Sequence, residues 1–357
     1  MLMTKKPPSK RTGDSSRLGA YLLPGRIKDP LDVIIQAEAG ERIGLGTMWV
    51  SERWGNKDIG AICGAVTQVA PSATIAAGTT HFLTRHPAVL ASMAMTLQAL
   101  SNSKFILGIG RGIPEMFQAI GLPAVSFEHT IDSINIHRKL CRGEKVNYSG
   151  ILGTYSDMQL LDLPDVSPPS VILGAVGPKA LQLAGAHFDG VILHPFLTPE
   201  GVSRCRNVAR DAARNAGRDP DSIRIYATVV LAADLSTDEE DRVIGSRAVT
   251  YFQSRSIAKM LVEFNSWDKT ILAKLWSHPI FEGVKASADQ GFTLEELVEV
   301  SRTLPREWLE SAAAVGSKEK CALRLDEYLA AGADDIIIHG STPEKLGPTL
   351  KAFTNIL

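Results

Sequence analysis

The sequence predicts an α/β fold of the (β/α)8 barrel type, and three observations carry that prediction. Short runs of β-branched and other apolar residues alternate with longer segments of helical period. The short runs are apolar throughout, as strands covered on both faces of a parallel sheet must be. Eight such runs fall within roughly 340 residues, the number and span that close a parallel barrel.

The expected strands occupy residues 18–23, 47–51, 74–80, 105–109, 171–174, 190–193, 223–231 and 335–338. Between them, residues 30–43, 58–69, 88–100, 127–141, 179–186, 201–216 and 318–331 place apolar side chains at i, i+3 and i+4, the stripe by which a helix packs on a sheet. Two intervals exceed a simple connection. Residues 143–169 hold β-type runs at 148–150 and 158–163, the pattern of a short hairpin-like insertion after strand 4. Residues 232–303, after strand 7, carry helical patterns at 238–253, 257–264, 270–276 and 294–300 and several exposure-prone aromatics. Insertions that follow a barrel strand sit on its C-terminal face, so both intervals are expected there, the second as a helical lid over a pocket or as a structural cap. Residues 1–17, charged and rich in Pro and Ser, read as a flexible tail ahead of a single domain over 18–357.

Composition narrows the function classes. With 38 basic and 39 acidic side chains the net charge is −1, whereas nucleic acid or an anionic membrane as main partner calls for a basic excess. The longest apolar stretch, 88–100, is interrupted by Ser92, Thr96 and Gln98 and is too short to cross ~30 Å of hydrocarbon. Cys63, Cys141, Cys205 and Cys321 lie far apart without a CxxC pair, so neither a disulfide framework nor a zinc site is expected, and a reducing cytoplasm fits. The basic start is followed by no apolar segment of the kind that targets a chain for export. No HxH pair and no GxSxG elbow support a metallohydrolase or a serine nucleophile.

Five strand ends carry candidate chemistry. The run from Phe105 to Gly112 ends in Gly108, Gly110 and Gly112, which reads either as a tight turn or as a place where backbone amides approach a ligand. The run from Val171 to Lys179 leads into a Gly-Pro helix start with Lys179 in the first turn. Free amides there make an anion site, and a cation at that end of the dipole is either compensated by a bound phosphate or simply solvated. After the third strand, His81 follows two threonines at the barrel mouth, as a catalyst or as a hydrogen-bonded structural residue, while His86 before Pro87 reads as a helix start. Glu52 ends the second strand as an acid or base, or as the ion partner of Arg53 or another basic neighbour. His194 ends the sixth strand, facing substrate or merely closing the strand.

Taken together, GTTH with RHP after the third strand, LGIGRG after the fourth, RKLCRGEKVNYSG over 138–150, and GAVGPKALQLAGAHFDGVIL resemble the bacterial luciferase-like monooxygenase superfamily over nearly all of 18–357. The resemblance is strongest to the branch that uses the deazaflavin coenzyme F420, which includes methylenetetrahydromethanopterin reductases and F420-dependent glucose-6-phosphate dehydrogenases. It implies a luciferase-like barrel with a tricyclic cofactor at the C-terminal strand ends, resting on a bulged third strand with a non-prolyl cis peptide. The GTTH match puts that bond between Thr80 and His81. It further implies that Ser51, Thr80, His81, Gly110, Arg111 and Gly112 line the cofactor and that amides around Val176, Gly177 and Lys179 hold its phosphate. Relatives pair through helices beside the second and third strands, so a homodimer is expected, and residues 88–100 are apolar nearly all round, as in a helix buried on two sides.

The sequence also departs from the sugar-phosphate branch. There an Asp-His pair ends the second strand and a Glu follows the glycine turn; here Ser51-Glu52 and Ile113 stand at those positions, so that substrate and mechanism are not expected. The reading is an F420-dependent oxidoreductase moving a hydride between the deazaflavin C5 and a small organic substrate, with Glu52 and His194 in proton transfer or substrate orientation and no metal. Two alternatives stay open: an FMN-dependent two-component monooxygenase of the same fold, and a barrel that binds a cofactor or metabolite without turnover.

Overall fold

The computed structural model describes residues 14–112, 114–282 and 291–356. Eight parallel strands close on themselves: β1 (Leu18–Tyr21), β2 (Thr47–Val50), β3 (Thr74–Thr80), β4 (Phe105–Ile109), β5 (Ser170–Ala175), β6 (Gly190–Leu193), β7 (Arg224–Ala233) and β8 (Asp335–His339). Each pairs with its sequence neighbour, and β8 returns to β1 through Leu18 opposite Ile336. The barrel interior is plugged by one side chain from every strand: Tyr21, Trp49, Ala76, Ile106, Ile172, Ile192, Tyr226 and Ile337. Each large apolar member of that plug contributes about 1.5–3 kcal/mol of burial. Because side chains alternate at period two, the residues two positions further on face the mouth: Ser51, Gly78, Gly108, Gly174, His194, Thr228 and His339.

The flanking helices start where the sequence offers caps. Asp58 caps Ile59–Val69, His86 accepts from the Ala88 amide ahead of Pro87–Leu100, and Ser126 with His129 forms a capping box on Phe127–Cys141. One helix was not anticipated, Pro343–Thr354, whose period is broken by Gly347 and Pro348 yet which buries Leu346, Leu350 and Phe353. Of the expected tail, residues 1–13 lie outside the described residues. Residues 14–17 do not behave as a tail: Ser15–Arg17 form a 3-10 turn, and Arg17 donates to the carbonyls of Ala333 and Asp334.

Both insertions differ from expectation. The hairpin pairs Val146–Gly150 with Gly153–Met158, so its second strand precedes the expected 158–163. It follows the helix Phe127–Cys141 rather than a strand and therefore runs along the barrel flank instead of the C-terminal face, its Tyr148, Tyr155 and Met158 covering Ala91, Met95, Ile136 and Leu140. The second insertion brings Tyr251 against His194 and Met260 against Gly177, at the C-terminal strand ends. Its helices include Ser246–Phe252, Arg255–Asn265, Ile271–Trp276 and Leu294–Ser301, but it continues through Arg306–Ser311 to a strand, Ala314–Gly316, that pairs with the end of β7. Its aromatics are not displayed to solvent: Phe252 is fully buried and Trp267 stacks on Trp308 with ring centroids 4.6 Å apart.

Candidate active site

The C-terminal ends of β2, β3 and β4 enclose a cavity of about 240 Å³ lined by Ser51, Glu52, Trp54, Gly78, Thr79, His81, Gly112 and Phe117. Its floor is irregular. Between Ala77 and Thr80 the register of β3 against β4 shifts by one residue, a bulge, and the Gly78–Thr79 peptide within it is cis. The cis bond therefore lies two residues before the expected Thr80–His81 position, because the bulge begins directly after Ala77. The Tyr21 hydroxyl donates to the Gly78 carbonyl at 2.8 Å. A Cβ at residue 78 would come within 2.7 Å of the Trp49 ring, so only glycine fits. At residue 110 a Cβ would lie 2.5 Å from the Thr79 hydroxyl, and Gly174 likewise faces Thr79 without a side chain. The β3–β4–β5 half of the mouth is thus walled by backbone.

Thr80, expected against the cofactor, instead sits fully buried behind the cavity, and Thr79 takes the lining position. The Thr80 hydroxyl donates to Glu52 at 2.6 Å and accepts from Arg85 at 3.0 Å. Arg85 binds Glu52 at 2.5 Å and Asp58 at 2.8 Å, so the partner of Glu52 is Arg85, not Arg53. His81 Nδ1 is 3.8 Å from the Glu52 carboxylate, and its ring packs against Phe117 at 5.1 Å. Burial of Glu52, whose side chain is 4% exposed, would raise its pKa. The nearby His81 ring, the Arg85 and Thr80 hydrogen bonds and the Arg85 charge outweigh burial and hold it at about 2. Glu52 is therefore a fixed carboxylate.

The opposite half of the mouth carries the polar side chains. His194 donates through Nδ1 to the Pro195 carbonyl at 3.0 Å, since that carbonyl can only accept. Burial lowers its pKa to about 4, leaving a neutral ring with Nε2 as an acceptor. Tyr251 from the helix Ser246–Phe252 stands edge-on to His194 at 4.6 Å, and its hydroxyl is 3.5 Å from His339 Nε2. His339 packs on Tyr21 at 4.9 Å, and burial, together with the charges of Arg247 and Lys57, pushes its pKa well down. Thr79, Arg85, Tyr251 and His339 were missed in the sequence. A period-two count from Ile337 would have turned His339 inward; nothing local marks Tyr251.

Further expected residues divide. Ser51 lines the cavity and accepts from the buried Lys57 ammonium at 3.3 Å. Gly110 borders Thr79 and His81, and Gly112 borders Phe117. Arg111 does not turn toward the cavity: its guanidinium donates to the Val125 carbonyl and lies 4.1 Å from the Phe127 ring centre. Val176 and Gly177 are buried at the start of the helix Pro178–His187, which begins with no side-chain cap. The sulfur of Met260 covers Gly177 closely, and Lys179 is exposed. Ile113 lies outside the described residues.

Comparisons with known proteins agree with this fold. The 5,10-methylenetetrahydromethanopterin reductase of Methanolobus tindarius is 26% identical over 314 residues, 87% of this chain and 90% of that protein. The structure of the coenzyme F420-dependent tetrahydromethanopterin reductase from Methanopyrus kandleri superposes with a TM-score of 0.75 at 19% identity, covering 95% of this chain and 96% of that one. An F420-dependent secondary alcohol dehydrogenase, solved with an F420-acetone adduct, superposes at 0.71 with 17% identity, covering 96% and 98%. Residues 12–335 match the model of the luciferase-like monooxygenases, and with the closed barrel and bulged third strand that match makes this chain a member of that family.

Proposed function

We propose that the protein is an F420-dependent oxidoreductase acting on a small organic substrate held between the barrel mouth and the helices above it. The observation that carries this reading is the division of the mouth. One half, β3 to β5, is built from Gly78, Thr79, Gly110 and Gly174 and flanked by Trp54 and Phe117, which suits a planar ring system. The uncapped helix start at Gly177 follows from the same half and suits an anionic tail, with Met260, an unbranched side chain, as the group that must move aside. The other half, β6 to β8, presents neutral imidazoles and hydroxyls to a substrate.

When bound, F420 supplies a two-electron hydride carrier at its C5. In the chain itself, Glu52 fixes Arg85 and His81 at the rim, while His194 offers Nε2 as a hydrogen-bond acceptor that orients a substrate hydroxyl or amide. Neither is an acid near pH 7, so of the two roles expected for them only orientation is retained. The Tyr251 phenol, placed between His194 and His339, is the group positioned to exchange a proton with the substrate.

Titrating the purified full-length chain with F420 and, separately, with FMN tests the assignment through quenching of cofactor fluorescence. Saturable binding of F420 with little affinity for FMN is expected. Tight FMN binding without F420 binding would shift the reading to the two-component monooxygenase, and binding without turnover of any carbonyl or alcohol would leave a non-catalytic barrel.

A further inference from the structure

On the β7–β8 side of the mouth three buried polar atoms have no hydrogen-bond partner: Arg247 Nε, His339 Nδ1 and Thr228 Oγ1. They belong to neighbouring elements. Thr228 lies on β7 and His339 on the adjacent β8, with Val230 opposite His339 in register, and Arg247 comes from the helix above. Arg247 precedes Tyr251 by four residues, so both project from one face of that helix. Its charge reaches His339, and its terminal nitrogen would stand 3.0 Å from a Cβ at Gly25, in the loop after β1.

The state of Arg247 contrasts with that of other arginines near the mouth and its cover. Arg85 is neutralised by Glu52 and Asp58, and Arg306 by Glu240 and Asp241. Arg247 has no hydrogen bond or ion pair to any described residue. A half-buried guanidinium left without an anion is costly, and the surrounding groups, a neutral histidine and a hydroxyl, cannot offset it. We propose that Arg247, His339 and Thr228 form a subsite for an anionic oxygen group, a carboxylate or phosphate, carried by the substrate.

This deepens the oxidoreductase reading and rests on it. The same chemistry could come from the cofactor's own anionic tail, but the placement argues for the substrate. His339 and Gly25 lie on β8 and after β1, three and four strands around the ring from the helix start at Gly177 that follows β5. Tyr251, the proposed proton-exchange group, is on the same helix face as Arg247, so an anion held there leaves the reactive part of the substrate beside that phenol.

Calorimetry on the full-length protein, with and without F420, tests this with glutarate and inorganic phosphate against neutral glutaramide. The wild type is expected to bind at least one anionic probe about tenfold or more tightly than the amide. Arg247→Met should abolish the preference and Arg247→Lys retain part of it, each with a wild-type circular dichroism spectrum and F420 affinity within about twofold. Absence of any anion preference in the wild type, or an unchanged preference in Arg247→Met, overturns the subsite. Loss of F420 affinity in Arg247→Met with the preference intact assigns the arginine to the cofactor tail and overturns it equally. A wild type that does not bind F420 yet shows the Arg247-dependent preference sinks the cofactor reading while the subsite stands.

Discussion

At Glu52 burial and hydrogen bonding pull in opposite directions, and hydrogen bonding wins. Its pKa of about 2 lies below the ordinary 4.5, so its contribution to stability is complete above about pH 4.5 and is lost as pH falls through 2. Glu52→Gln should lower the unfolding free energy at pH 7 by roughly 2–3 kcal/mol, with a smaller gap at pH 3. Urea titrations at the two pH values check this; an equal gap at both would mean that the carboxylate is not held ionised by Arg85 and Thr80. A second residue-scale expectation concerns Tyr251. Tyr251→Phe removes the hydroxyl near His339 but keeps the ring against His194, so kcat should fall about 100-fold while F420 affinity is unchanged. Stopped-flow turnover beside a binding titration separates these effects, and a full-rate variant would clear the phenol of any part in proton exchange.

Among the elements, the hairpin Val146–Met158 explains a helix that looks too apolar for its position. Pro87–Leu100 buries Leu90, Ala94 and Leu97 against the barrel and Ala91 and Met95 under Tyr148 and Tyr155, so two of its faces are covered within one chain. Met95→Asp places a charge in that apolar seam, and a loss on the order of 3 kcal/mol or more is expected from chemical denaturation. A loss under 1 kcal/mol would show the hairpin to be loosely attached. The same packing weakens the original ground for a homodimer, since the helix needs no second chain to cover Met95. What it still presents outward is Val89, 57% exposed, and Leu100, 49% exposed. We retain the dimer as a proposal on those two residues: light scattering should give twice the chain mass at micromolar concentration, and Val89→Asp should halve it.

Across the whole molecule, acid stability is governed by histidines buried in neutral form. His137 on the barrel flank and His194 at the mouth both fall to about 4, first through burial, and burial pushes His339 well down too. Their native pKa values lie below the ordinary 6.5, so the folded state binds fewer protons than the unfolded chain in that interval. Stability is therefore full above pH 6.5 and declines as pH drops toward 4. Equilibrium unfolding followed from pH 7.5 to 4 should show a continuous fall of several kcal/mol, and a flat profile to pH 5 would contradict the burial of these rings.

How far the sequence was legible follows from which interactions are local. Apolar runs and helical stripes located all eight strands to within about two residues, and Asp58, His86 and Ser126 marked helix starts, because burial period and capping act over a few residues. The same locality showed Ser51, His81, Gly110, Gly112 and His194 at strand ends, and with them the family. Other features depend on contacts distant in the chain: the hairpin's flank position, Thr79 in place of Thr80 at the cavity, and the pairing of Glu52 with Arg85 rather than Arg53. Tyr251 and Arg247 belong to the same group, since only closure of the barrel brings their helix over β7 and β8. The sequence by itself determined the barrel and the ring of strand-end residues, as short-range periodicity suffices for both. Protonation states and partners at the mouth were decided by the tertiary structure, because desolvation and charge pairing depend on neighbours that no local pattern encodes.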